Sequence, residues 1–370
     1  MTFQFAFGPR IKKSAFFDAT VRAGVSHFST YNHVCFPVSY GDPVAEYRRL
    51  TEGVSMWDVS VERQVRIMGK DALELASILT PRNLEKVKIG QGRYIPICDH
   101  RGILMNDPVM LPISANEYWI SIADQDLLWW ARAIAAERGM NVSIDEPDIS
   151  PLAVQGPKAS EVVRQVCGDW VDDLKFFGFN QTMIQGIPVV VAKSGWSKQG
   201  GFEIYLMDHH RGTELWDIIE EAGRPYDIGP GAPNYIERIE SGLLSMGADT
   251  DDDTNPYEVG MGKLCDLEQD VDFIGKDALK RIKARGAKRR MTGYVIDGEK
   301  FSGSNQHRWK VYQDGKKVGL CSAAAYSPRL DANIGLGLIK VGLADEGNKV
   351  TIQTEYGERE ATTTALPFKI

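Results

Sequence analysis

Glu203 stands in the middle of an apolar run, between Phe202 and Ile204. A carboxylate placed there is costly to bury unless it is paired or hydrogen-bonded. It is therefore either a binding acid or a glutamate on an exposed strand face. Asp107 is a second acid of interest. It follows the turn Arg101-Gly102 and precedes a strand opened by Pro108; the plainer alternative is an aspartate bonded to its local backbone. A third group is aromatic. Trp196 sits among glycines and polar residues, and Phe176 adjoins Phe177. A ring face holds a cation by only about 0.5–2 kcal/mol, a grip suited to a positive charge that must be given up during reaction. Plain core packing is the alternative for the two phenylalanines. Arg238, with Glu240 nearby, follows the break Gly229-Pro230-Gly231-Ala232-Pro233, and either reaches a ligand or forms a structural ion pair.

Several classes of function are disfavoured. The six histidines form neither HExxH nor a Cys/His cluster, so no metal is expected. The five cysteines are scattered, odd in number and without a CxxC pair, the pattern of reduced thiols rather than of a disulfide framework. A net charge of −7 argues against nucleic acid as a partner. The basic cluster from Lys280 to Arg290 reads as a solvated helix face and loop. Met1 to Lys13 carries no leader-like apolar run, and no window reaches the length of a membrane span. The expectation is a cytoplasmic protein. No GxGxxG lies between a strand and a helix, so a dinucleotide enzyme is also disfavoured.

With 370 residues, of which 43% are hydrophobic and 25% charged, the chain has the composition of a globular protein of two or three domains. The first stretch reads as a lead-in, followed by a helix over 45–53. Alternation over 59–68 predicts a strand. Apolar spacing after Gly69-Lys70-Asp71 predicts a helix, as it does over 126–138, 156–165 and 212–222. Strands are expected at 108–111, 118–122, 142–144, 151–154, 187–192 and 201–206. The Gly/Pro break leads into a helix over 234–245, and a basic helix ends near Gly286. Beyond Met291 short strands and turns alternate, the pattern of a small β-barrel. The boundary is placed so that 1–285 forms a catalytic region of two interleaved α+β domains and 286–370 the barrel.

Several of these segments together carry a resemblance. Trp57-Asp58-Val59-Ser60, Gly69-Lys70-Asp71-Ala72, Gln155-Gly156-Pro157-Lys158-Ala159, Gly201-Phe202-Glu203-Ile204-Tyr205, Asn255-Pro256-Tyr257-Glu258 and Tyr326-Ser327-Pro328-Arg329-Leu330 occur in an order and spacing that resemble the folate-dependent aminomethyltransferase family, the T-protein of glycine cleavage and its relatives. Within it the chain is most similar to the dimethylsulfoniopropionate demethylases, on Tyr31-Asn32-His33, Glu62-Arg63-Gln64-Val65, Phe176-Phe177-Gly178-Phe179 and the run from Ser194 to Gly201. Asn106-Asp107 replaces the paired aspartates, and Gly195-Trp196-Ser197 replaces the Gly-Tyr-Thr run, of the glycine-cleavage enzymes.

The resemblance implies an α+β, three-domain cloverleaf around a folate channel, with the barrel at its C-terminal end. It also implies a methyl transfer from dimethylsulfoniopropionate to tetrahydrofolate as co-substrate, yielding methylmercaptopropionate and 5-methyltetrahydrofolate. Asp107 and Tyr205 are then the catalytic candidates. Glu203, Tyr94, Ser121, Arg238 and Tyr205 would hold the folate, Glu203 accepting paired N–H donors of the pterin. Trp196, Phe176, Phe177, Tyr31 and Lys198 would hold the sulfonium substrate. A homodimer follows by family analogy. Two alternatives stay open: an enzyme acting on another methyl or aminomethyl donor, and a folate-binding module without turnover.

Overall fold

The computed structural model describes residues 8–370; residues 1–7, part of the N-terminal stretch read above for a leader, lie outside the described residues. The chain divides into two compact units, one of residues 1–72, 87–93 and 109–234, the other of residues 73–86, 94–108 and 235–370. Helices and strands intermix, and the C-terminal end is a small β-barrel, as the sequence predicts. Among the described residues no helix is long and apolar enough to cross a membrane.

The first unit is built on a six-stranded sheet in the order Phe179–Ile184, Ile187–Ala192, Gly201–Leu206, Ser150–Gln155, Ser55–Asp58, Gly229–Pro230. All neighbours are antiparallel except the last pair. Side chains alternate across a strand, so Phe202, Ile204 and Leu206 enter one core with Val162, Val163, Leu215 and Trp216 of the helices Ala159–Cys167 and Gly212–Gly223. Tyr205 points the other way, into a second cluster with Leu111, Trp119, Phe179 and Val190. Glu203 shares the Tyr205 face by the same period. Both faces of this strand are therefore covered, which explains its burial from Phe202 to Leu206.

Three expectations are corrected here. The predicted strand over 59–68 begins only at Gln64. The Asp58 carboxylate accepts hydrogen bonds from the Ser60 amide (3.1 Å) and hydroxyl (2.6 Å), and that local competitor turns the chain before a ladder can form. The lead-in is structured, with a helix Phe17–Arg22 and a hairpin His27–Tyr31/Val34–Ser39. Its two-residue turn places Asn32 and His33 at φ 49° and 61°, as the twist of a tight hairpin requires. The Asn32 amide is held by the carbonyls of Val61, Ile122 and Ala123.

The third correction lies in the second unit. The helix predicted over 234–245 spans only Tyr235–Ser241. Gly242 takes φ 63°, Gly242 N–H donates to Ile239 O (3.1 Å) and Leu243 N–H to Arg238 O (2.9 Å), the paired bonds of a Schellman stop. Beyond it the barrel runs Arg289–Ile296, Gly357–Thr364, Lys349–Thr354, Trp309–Gln313, Lys316–Cys321, Ala332–Lys340, and the last of these pairs back onto the first. Tyr294, Trp309, Val311 and Ile352 fill it. The short hairpin Ile97–Cys98/Leu104–Asn106 carries the chain to Asp107.

Candidate active site

In the first unit Glu203 is joined to Tyr205 directly and to Ser121 through Tyr205. Its side chain is only 5% exposed, and burial pushes its carboxyl above the usual range. The Ser194 hydroxyl (2.5 Å) and the Tyr205 hydroxyl (3.0 Å) both donate to one oxygen, Oε2. No hydrogen bond from the described residues reaches Oε1. Burial, reinforced by the Glu203 and Glu62 charges, holds the Tyr205 phenol far above its ordinary value, so it stays a proton donor. Ser121, also buried, accepts from Gln64 Nε2 (2.9 Å) and donates to Glu62 (3.4 Å). The Gln64 carbonyl oxygen Oε1 is buried and accepts nothing among the described residues. The cluster thus holds one buried acceptor without a partner, Gln64 Oε1, and an unsatisfied buried acceptor calls for a donor-bearing ligand or water.

Gln155 positions the loop that carries Ser194. Its Nε2 donates to the Ser194 carbonyl (3.0 Å) and the Phe202 carbonyl (3.3 Å), and its Oε1 accepts from Ser197 Oγ (2.7 Å). Gly195, at φ 152°, lies so close that an added Cβ would fall 2.1 Å from Gln155 Nε2. On the same loop Trp196 is half-buried and Lys198 exposed. Phe177 N–H donates to Lys193 O (2.8 Å), one residue before Ser194, and Gly92 N–H donates to Phe177 O (2.7 Å). Phe177 is held at φ 63°, an outlier for a bulky side chain. Its ring lies 4.1 Å from that of Phe176, and Phe176 is 63% exposed, which rules out core packing for that ring. Tyr31 is placed at the hairpin end, its hydroxyl accepting from Asp124 N–H (3.0 Å).

The second unit holds Asp107, Tyr94 and Arg238. Tyr94 donates to Asp107 Oδ2 at 2.7 Å. Burial outweighs that bond, with the Asp249 charge adding to it, and the Asp107 carboxyl is pushed up to about 7. Such a group exchanges its proton near neutrality, the range useful for acid–base work. Asp107 nonetheless keeps part of its surface open. Arg238 is 2% exposed and committed to Asp249, at 2.8 and 3.4 Å. Asp249 also accepts from Ser322 Oγ (2.6 Å) and Ser245 N–H (2.7 Å). Arg238 is thereby part of a buried network.

Sequence reasoning missed Ser194, Glu62, Gln64, Gln155 and Asp249 as site residues. Ser194, Glu62, Gln64 and Gln155 lie inside quoted motifs, and the glycines flanking the Gln155 contact were the available signal. Asp249 lies in none of them, and the fold brings its partners Arg238 and Ser322 to it from elsewhere in the chain.

Residues 16–269 match the GCVT N-terminal domain and residues 289–369 the glycine cleavage T-protein C-terminal barrel domain. The chain belongs to the glycine cleavage T-protein family. Within that family it is 40% identical over 353 residues to dimethylsulfoniopropionate demethylase DmdA of Ruegeria pomeroyi, covering 95% of this chain and 96% of that protein. It is 31% identical to an aminomethyltransferase of Caldanaerobacter subterraneus subsp. tengcongensis, over 85% of each chain. The fold matches the glycine cleavage system aminomethyltransferase T of Bartonella henselae with a TM-score of 0.86 at 20% identity, over 97% of this chain and 98% of that one.

Proposed function

We infer that this T-protein family member is a tetrahydrofolate-dependent methyltransferase that demethylates dimethylsulfoniopropionate to methylmercaptopropionate. The observation that carries the reading is the one-sided pairing of Glu203. Both protein donors take Oε2, leaving Oε1 without a hydrogen bond from the described residues, while the Gln64 Oε1 of the same unit is buried and unpartnered. A reduced pterin carries adjacent N–H donors on its aminopyrimidine edge, and a carboxylate with an oxygen to spare can accept from them. The near full-length identity to the demethylase, higher than to the aminomethyltransferase, supports the sulfonium donor over an aminomethyl group.

The reaction breaks the methyl carbon–sulfur bond of the sulfonium and forms a bond from that carbon to a nitrogen of the folate, which then sheds a proton. The leaving thioether is neutral, so no nucleophilic serine or cysteine is required. Positioning can supply roughly 7–11 kcal/mol of the acceleration. In this reading Glu203, oriented by Ser194 and Tyr205, fixes the folate. Asp107, near half-ionised at neutral pH, receives the released proton, and its Tyr94 bond keeps enough of it ionised to do so. Phe176, Phe177 and Trp196 offer ring faces to the sulfonium without holding its charge so tightly that the ground state is favoured.

A donor screen tests this directly. Purified protein with tetrahydrofolate should form 5-methyltetrahydrofolate from dimethylsulfoniopropionate alone. Inertness toward that donor, combined with activity on dimethylglycine or with glycine-cleavage components, would reject the assignment.

A further inference from the structure

The barrel-bearing unit contains a feature that methyl transfer does not use. A cavity of about 1120 Å³ is lined by seven arginine and lysine side chains and only two carboxylates, Asp253 and Glu258. The chain as a whole has a net charge of −7, so this concentration of positive charge is local. Two of the seven are neutralised by neighbours: Arg289 pairs with Asp251 and Glu258, and Arg101 with Asp99. The other five, Arg281, Arg285, Lys288, Lys317 and Lys340, have no carboxylate within ion-pairing distance among the described residues.

Their placement comes from three separate elements. Arg281 and Arg285 lie one turn apart on the helix Lys276–Arg285, and residues four apart share a helix face. Lys288 follows in the loop. Lys317 and Lys340 come from two barrel strands, Lys316–Cys321 and Ala332–Lys340. Lys340 sits directly opposite Arg289 in the ladder, and like charges at facing positions repel. Favourable interaction with a helix C-terminus accounts for a cation such as Arg285. It does not account for the strand lysines or for the facing pair. Between the charges the wall is apolar, with Ile103, Ala278, Ile282, Val318, Leu320 and Leu338. The size and mixed lining are those of a small-molecule site.

We propose that this cavity binds a small oligoanion, a metabolite-sized molecule bearing three or more clustered negative charges on an apolar or flexible body. Arginine forks and lysine ammoniums converging from three elements recognise phosphate or carboxylate oxygens. Both chemistries have ready carriers: the polyphosphate of a nucleoside triphosphate and the linked carboxylates of an oligo-γ-glutamyl chain. The part of the sequence that reads as a solvated basic face is, in this account, one wall of a binding site.

Isothermal titration of the whole protein with ATP, inorganic tripolyphosphate and penta-γ-glutamate tests the proposal and separates the sources. Saturable one-to-one binding of at least one of them at physiological salt is expected. Binding confined to the phosphate probes assigns the site to phosphate; binding confined to the glutamyl probe assigns it to carboxylate chains. The paired variant R281E/R285E should weaken binding about tenfold or more, and K317E/K340E, on the opposite wall, should do the same. The control K86E/K88E, which reverses as many exposed charges elsewhere, should leave binding within about twofold. No saturable binding of any probe, or an equal loss in the control, overturns the proposal.

Discussion

Tyr94→Phe removes one hydroxyl and isolates the balance that sets Asp107. In the folded protein burial raises the Asp107 carboxyl and the 2.7 Å Tyr94 bond opposes that rise, leaving it at about 7. A hydrogen bond to a charged group contributes about 1.5–3 kcal/mol. At about 1.4 kcal/mol for each unit of pKa, its loss lifts Asp107 by about one to two units. The ionised fraction at pH 7 then falls from about a half to between about a tenth and a hundredth. If Asp107 accepts the released proton, kcat/KM at pH 7 falls about 5- to 50-fold and recovers as pH is raised. The assay is formation of 5-methyltetrahydrofolate from pH 6 to 10, together with carboxyl-carbon NMR of Asp107 in the ligand-free protein. An acid limb that stays in place while the NMR titration moves would refute Asp107 as the proton acceptor. A titration that itself stays in place would refute the electrostatic account.

Other perturbations read other parts of the site. Glu203→Gln keeps the shape of the side chain but removes the charge behind Oε1, so the Kd for 5-methyltetrahydrofolate, followed by fluorescence quenching, should rise about 10- to 100-fold; an unchanged Kd would remove Glu203 from the folate site. Arg238→Met leaves the buried Asp249 carboxylate without its cation and should cost about 3–5 kcal/mol of stability, seen as a lower urea midpoint. Gly195→Ala would drive a methyl group to 2.1 Å from Gln155 Nε2; we expect a loss of about 1–3 kcal/mol and a raised KM, because the Ser194 loop is displaced. Asp107 also sets a pH trend in stability. Its folded value, about 7, lies above the unfolded 3.8, so the native state binds more protons between those values, and this contribution is present in acid and lost as pH rises through about 7. Asp107→Asn should flatten that slope in urea titrations at several pH values.

Glu203 shows why part of the site was legible in the sequence. An acid between Phe202 and Ile204 violates the strand's apolar pattern, and such violations mark function. The strand limits at Ile187–Ala192 and Gly201–Leu206 were equally plain, because β-branched and aromatic runs bounded by turn residues leave little choice. The region over 55–68 was not, because its fate depends on the Asp58 carboxylate capturing Ser60, a local bond that competes with an otherwise good strand pattern. The Gly242 stop was visible as a glycine but overridden by the apolar period around it. The Asp249–Arg238–Ser322 network joins residues far apart in sequence, and neither composition nor spacing encodes such partners. Likewise, the basic run from Lys280 to Arg290 gave no hint that Lys317 and Lys340 share a cavity with it.

The most direct test of the central claim follows the transferred carbon itself. With dimethylsulfoniopropionate carrying carbon-13 in its S-methyl groups, NMR of the running reaction should show the label appearing on N5 of the folate, matched one for one by methylmercaptopropionate. Label that stays on sulfur in the presence of tetrahydrofolate, or leaves it without reaching the folate, would contradict the account.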